Sequence, residues 1–179
     1  MEEFKIILFL ISTFFGIEGG RVVADKTTVS IYPEKQEVEI IQENLFTVLE
    51  EDYNAETVIK QWRKIEEAQT NENLWREDLK NFTNKQLILR DNKEIKPQIK
   101  LTYTNKEDLE ELGIWYNEEQ SQFSINHLPQ EMIKTEEGVL KGNYWYFDAN
   151  RKFTFTIQPF LKMPEKYKKI KKSINSIVD

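Results

Sequence analysis

Apolar and polar residues alternate at both ends of the first third of the chain. Over 27–32, Val29 and Ile31 alternate with polar neighbours. After Pro33-Glu34-Lys35 the alternation resumes over 37–49, with Val38 and Ile40 set against Glu37 and Glu39. Period two sends successive side chains to opposite faces, so the pattern predicts two strands and an N-terminal hairpin around Pro33. The acidic triplet Glu50-Glu51-Asp52 breaks the alternation, and the period then lengthens. Val58, Ile59, Trp62 and Ile65 recur at helical spacing, with Lys60, Arg63, Lys64, Glu66 and Glu67 on the solvent side. With Asn54 as N-cap, this predicts a helix over 55–68. Trp75, Leu79 and Phe82 form one stripe of a second short helix over 74–82.

Strands follow at 86–89 and 98–103, either side of a turn at Asp91-Asn92-Lys93. Residues 106–112 predict a helical turn or two ended by Gly113. Strands at 114–116 and 122–126 are joined through Asn117-Glu118-Glu119, and a long polar connection from Pro129 leads to Gly138. The densest β signal is 142–160, GNYWYFDANRKFTFTIQPF. Two aromatic and β-branched runs, 144–147 and 153–157, flank the turn-like Asp148-Ala149-Asn150-Arg151, which predicts a hairpin. Trp145 and Phe147 share one face of the first run, and Phe153, Phe155 and Ile157 share one face of the second. Together they predict an aromatic core layer. Tyr144, Tyr146, Thr154 and Thr156 then point outward together. So many aromatics could also be a stacking platform for a sugar or a base; a core sheet with two wetted tyrosines is the simpler reading.

Pro164 suits a first helical turn. Tyr167, Ile170, Ile174 and Ile177 then fall on one face of a C-terminal helix. Strands come in runs with helices between and after them, without regular alternation. The expected class is α+β: a mostly antiparallel sheet of short strands with about three helices packed on one face, preceded by an N-terminal signal-like helix. No internal repeat or low-complexity segment interrupts it, and 179 residues are expected to form a single domain after the leader.

That leader is the apolar run 6–17, IILFLISTFFGI. It has signal-peptide length and is short of the roughly 20 residues that span a bilayer. Val22-Val23-Ala24 places small residues before a cut at Asp25, which divides the chain into a signal peptide, 1–24, and a domain, 25–179. Glu2 and Glu3 offset Lys5 where a net positive charge is usual, so an uncleaved anchor or a buried first element are the competing readings. The chain has no cysteine. Disulfides, zinc–cysteine sites and thiol nucleophiles therefore drop out, and a bacterial periplasm or exterior suits a disulfide-free exported domain. Asn81-Phe82-Thr83 matches a glycosylation acceptor, but Phe82 has the spacing of a core residue.

Charge narrows the partners. Against 31 acidic residues stand 25 basic ones, for a net charge of −6, which disfavours nucleic acid. Lys162, Lys166, Lys168, Lys169, Lys171 and Lys172 make the C-terminal helix basic, giving weak attraction to an anionic membrane or a solvated face near the negative end of the helix dipole.

The candidate chemistry is sparse. His127 is the only histidine, so a triad or histidine-based metal site would rest on one residue. Carboxylates cluster at Glu107, Asp108, Glu110 and Glu111, at Glu118 and Glu119, and at Glu136 and Glu137, as in a solvated acidic surface. A glycosidase needs only two, and sequence cannot choose the pair. The sequence contains no calcium loop, no glycine-rich phosphate loop and no G-x-S-x-G elbow. No catalytic, cofactor-binding or metal residue is assigned, and no cofactor is expected. The composition, rich in Lys, Ile, Asn and Glu, resembles that of exported bacterial proteins and implies no activity.

The expectation is a periplasmic or extracellular binding module, not an enzyme, whose partner is an envelope protein or a glycan. Its membrane contact would come only through an uncleaved leader or the basic C-terminal helix. The binding face would be Tyr144, Tyr146, Thr154 and Thr156, or a strand edge. The alternatives are a carboxylate-dependent hydrolase of envelope glycans and an acidic inhibitor or immunity-type protein steered to a basic enzyme.

Overall fold

The structure, a computed structural model, describes residues 22–49, 55–71, 79–91, 94–125 and 132–178. Asn54, Trp75, His127, Pro129 and the leader through Arg21 lie outside the described residues. So does most of the expected helix over 74–82, whose last apolar positions, Leu79 and Phe82, are buried. Two antiparallel sheets carry nearly all of the described fold, with a few helices beside them.

The first sheet begins with the expected hairpin. Strands β1 (Val23–Tyr32) and β2 (Glu37–Val48) pair around a turn that returns on Gln36, at φ 55°. β1 starts ahead of the expected cut at Asp25. Ala24 pairs with Leu45, and Val22 and Ala24 are buried. Strands β3 (Asn84–Asp91) and β4 (Glu94–Thr102) form a second hairpin, and β4 pairs with the first half of β2. β4 runs through Pro97, ahead of the expected start at 98. It can do so because the ladder is already irregular between Ile88 and Arg90, where a missing N–H donor is tolerated. Alternation then builds a buried face across the sheet: Leu87, Ile99, Ile40, Val29 and Phe155 stand side by side, one per strand.

Helix α1 (Ala55–Ala68) lies where the periodicity puts it and buries Val58, Trp62, Ile65 and Ala68. Trp62 satisfies its indole N–H by donating to Glu66 Oε1 at 2.9 Å. A 3-10 helix, Lys106–Leu112, starts where Asp108 accepts from the Thr104 and Asn105 amides and ends at Gly113, φ 73°. It leads into β5 (Trp115–Asn117) and β6 (Gln122–Ile125).

The expected hairpin of 144–147 with 153–157 is not formed, although both strands are. β9 (Tyr144–Asp148) pairs with β6 on one side and with β8 (Val139–Lys141) on the other, giving the second sheet the order β5-β6-β9-β8. β10 (Phe153–Ile157) pairs with β1 and with the two-residue β7 (Ile133–Lys134) in the first sheet. Both edges of both strands are therefore occupied by other partners. The four residues between them turn a corner between sheets. There the Ala149 amide donates to Ser121 and the Asn150 amide to Asp148 Oδ1.

The aromatic layer does exist, but it is made across sheets. Phe147 stacks on Phe153 at 4.4 Å between centroids, and Phe123 meets Phe153 at 5.7 Å. Cover over the β10 end of the first sheet's buried face thus comes from the second sheet, where a helix was expected.

The single C-terminal helix is also replaced. A five-residue helix α2 (Glu165–Lys169) is followed by β11 (Lys171–Ser173) and a one-turn helix α3 (Asn175–Val178). The cause lies in β2, which outruns β4. β4 pairs with residues 37–41 of β2, and β11 fills the same edge at Phe46, Thr47 and Val48. Open backbone donors and acceptors on a central strand outweigh helix continuation. The expected basic helix is divided accordingly, and Lys171 is drawn inward to Asp25 at 2.5 Å and over the Phe46 ring.

Candidate functional site

The four predicted binding residues fall on two sheets. Thr154 and Thr156 lie in the first, where their hydroxyls meet Ser30 Oγ at 3.0 Å and Thr28 Oγ1 at 3.3 Å. They belong to its outer, polar face. That face continues through Glu39, whose carboxylate gathers Gln98 Nε2 at 2.5 Å, Tyr32 Oη at 3.5 Å and Lys100 Nζ at 3.6 Å. A shallow concavity of about 270 Å³ opens there, between Tyr32, Glu37, Glu39, Asn84, Gln86 and Lys100. Glu39 and Lys100 are already matched to each other there.

Tyr144 and Tyr146 lie in the second sheet, ring centroids 6.0 Å apart. The register gives them company that the sequence did not suggest. Trp115 pairs with Ser124, Ser124 with Tyr146, and Tyr146 with Val139. One row of side chains therefore crosses all four strands. Its neighbouring row, Tyr116, Phe123 and Phe147, faces the core, since Phe123 and Phe147 are buried. Alternation sends Trp115, Ser124, Tyr146 and Val139 to the opposite face, with Tyr144 and Lys141 one step along on the same side. Trp115 is 37%, Tyr144 41% and Val139 56% exposed, with Ser124 and Tyr146 half-buried between them, while Leu140, on the core-side row beside Trp145, is also 37% exposed at the sheet's edge. A chain that is 31% charged thus presents one nearly uncharged strip. Lys141 holds its ammonium 5.7 Å from the Tyr146 ring, and the nearby Asp148 is engaged by Arg151.

No local pattern marked Trp115, because its row is assembled from four strands belonging to two separate hairpins. A cue for β8 was present. Gly142-Asn143 between short β-prone runs is a two-residue hairpin signal, and Gly142 adopts φ 61°.

The carboxylates held out of their ordinary range sit in ion pairs with lysines. Glu43 is held below the ordinary carboxylate range by its hydrogen bond to Lys26, opposed by burial and assisted by Lys96, while Lys60 lowers Glu56. Among the described residues no group of three or more His, Asp or Glu side chains is placed to hold a metal ion, and no described helix is long and apolar enough to cross a membrane. No family model matches the chain, and no curated protein or solved structure is significantly similar to it.

Proposed function

We propose that this protein is an exported, non-enzymatic binding module that holds its ligand on the outer face of the β5-β6-β9-β8 sheet. The observation that carries the reading is the row Trp115, Ser124, Tyr146 and Val139. Large side chains with apolar surface on three of the four strands, Trp115, Tyr146 and Val139, are left partly in water and lose that hydration cost only when something covers them. Tyrosine and tryptophan suit that use, since each combines a wide apolar ring with a polar tip and few rotatable bonds. Export is supported by the apolar run 6–17. The burial of Val22 and Ala24 argues that processing leaves them in place, as a cut after Ile17-Glu18-Gly19 would.

The test compares the native chain with the double variant Tyr146→Ala/Val139→Ser as immobilised baits in an envelope extract of the native host, scoring retained glycan and protein separately. The expected result is a ligand retained by the native chain and lost from the variant. Equal retention by both, or none by either, defeats this choice of face.

A further inference from the structure

We infer that the ligand of this face is a short run of a neutral glycan lying across the strands; the inference rests on the binding face proposed above. Three observations lead there.

The first is size. Neighbouring strands are about 4.8 Å apart and residues about 3.4 Å apart along a strand, so four strands of three to five residues offer a flat area on the order of 200 Å². A standard protein interface buries about 800 Å² on each side. The strip is too small for a stable protein partner or a second copy of this chain, and it matches two or three pyranose rings.

The second is spacing. Trp115 and Tyr146 are two strand steps apart, at Cα partners of the same Ser124, which sets the Cα atoms that carry the two rings about 10 Å apart. That is close to two units of an extended pyranose chain. Each ring can therefore take the apolar C–H face of an alternate sugar, while the Ser124 hydroxyl between them can bond the intervening one. Tyr144, its ring 6.0 Å from that of Tyr146, widens the second platform.

The third is charge. The strip is almost uncharged on a protein of net charge −6. An anionic polysaccharide or a nucleic acid would be repelled by the net charge of the molecule and would find at the strip Lys141 and an Arg151 already engaged by Asp148. A neutral sugar meets no such penalty, and its hydroxyls can use Ser124, the tyrosine hydroxyls and the lysine.

The experiment is calorimetric titration of the chain with cellohexaose, mannohexaose and chitohexaose, with polygalacturonate as the anionic control. At least one neutral hexasaccharide is expected to bind with a dissociation constant between about 10 μM and 1 mM. Trp115→Ala and Tyr146→Ala should each weaken it about tenfold or more while the chain stays folded at the titration temperature, as far-ultraviolet circular dichroism checks. Thr154→Ala, on the other sheet, should leave it unchanged. Binding of none of the neutral sugars at millimolar concentration overturns the inference, as does preferential binding of polygalacturonate. If the bait experiment instead yields a stoichiometric protein lost on the Tyr146→Ala/Val139→Ser variant, the glycan assignment falls and the face stands. Hexasaccharide binding that survives both ring deletions sinks the face itself.

Discussion

If the two sheets meet through their phenyl rings, replacing Phe123 and Phe153 with leucine should give non-additive losses. Both rings are fully buried, and they lie 5.7 Å apart at an interplanar angle of 42°. Phe123 stands on β6 in the second sheet and Phe153 on β10 in the first, with 29 residues between them along the chain. Each Phe→Leu change removes ring volume from a packed interior and should destabilise by about 1–2 kcal/mol. Aromatic pairs contribute about 0.5–1.5 kcal/mol beyond their area, and that part disappears with whichever ring is removed first. The double variant should therefore cost about 1 kcal/mol less than the sum of the singles. Urea unfolding of the four chains, fitted with a common slope, resolves a difference of that size. Sites that do not touch add to within about 0.3–0.5 kcal/mol. Additivity at that level would mean that the rings do not meet, and that β10 is not placed over the second sheet as described.

Gly138→Ala is expected to destabilise by about 1–3 kcal/mol in the same assay, because the new Cβ would sit 2.6 Å from Thr135 Cγ2 and 2.7 Å from Phe147 Cε1. Tyr103 is buried with no hydrogen-bond partner for its hydroxyl among the described residues, and burial pushes its pKa up to about 12. An unfolded tyrosine ionises near 10, so the unfolded state loses its proton first, and this group's contribution to stability is lost as pH rises from 10 to 12. Tyr103→Phe should be as stable as the parent or more so at pH 7 and should lose less stability over that interval; parallel curves for the two chains would refute it. A chain beginning at Asp25 should unfold at a lower urea concentration than one beginning at Gly20, because it lacks Val22 and Ala24. Burying the valine alone is worth about 1.5 kcal/mol or more. Lys171→Met should cost less than about 1 kcal/mol, and its effect should shrink in 1 M salt, since the bridge to Asp25 is about a third exposed on either side.

What could be read from the sequence was whatever is local. The hairpin around Pro33, helix α1, the 3-10 turn closed by Gly113 and the β5–β6 pair each depend on residues within a few positions of one another. The alternation in 144–157 also sorted Phe147, Phe153, Phe155 and Ile157 to the core correctly. Period two says which face a side chain takes, but it does not name the strand alongside. A β-turn-like Asp148-Ala149-Asn150-Arg151 therefore looked like a hairpin loop, whereas the Ala149 amide is used by Ser121. The C-terminal stripe failed differently. Ile174 is buried and Tyr167, Ile170 and Ile177 are half-buried, as an apolar helix face would be. The chain nevertheless changes from helix to strand between them, because the distal edge of β2 offers a ladder that no local pattern reveals. The strip bearing Trp115 was illegible for the same reason, since its members became neighbours only through pairing.

The shared edge of β2 sets a timetable for the molecule. Residues 37–41 bond to a hairpin that is nearby in sequence, whereas Phe46 to Val48 wait for a segment more than 120 residues downstream. During synthesis that half-edge stays bare until residues 171–173 have left the ribosome. In the finished protein it can reopen without disturbing β4. The Leu49 amide, bonded to Ile170, should accordingly exchange with solvent deuterium faster than the amides at the β2–β4 pairing, and deletion of residues 171–173 would leave an uncapped strand end able to recruit a neighbour.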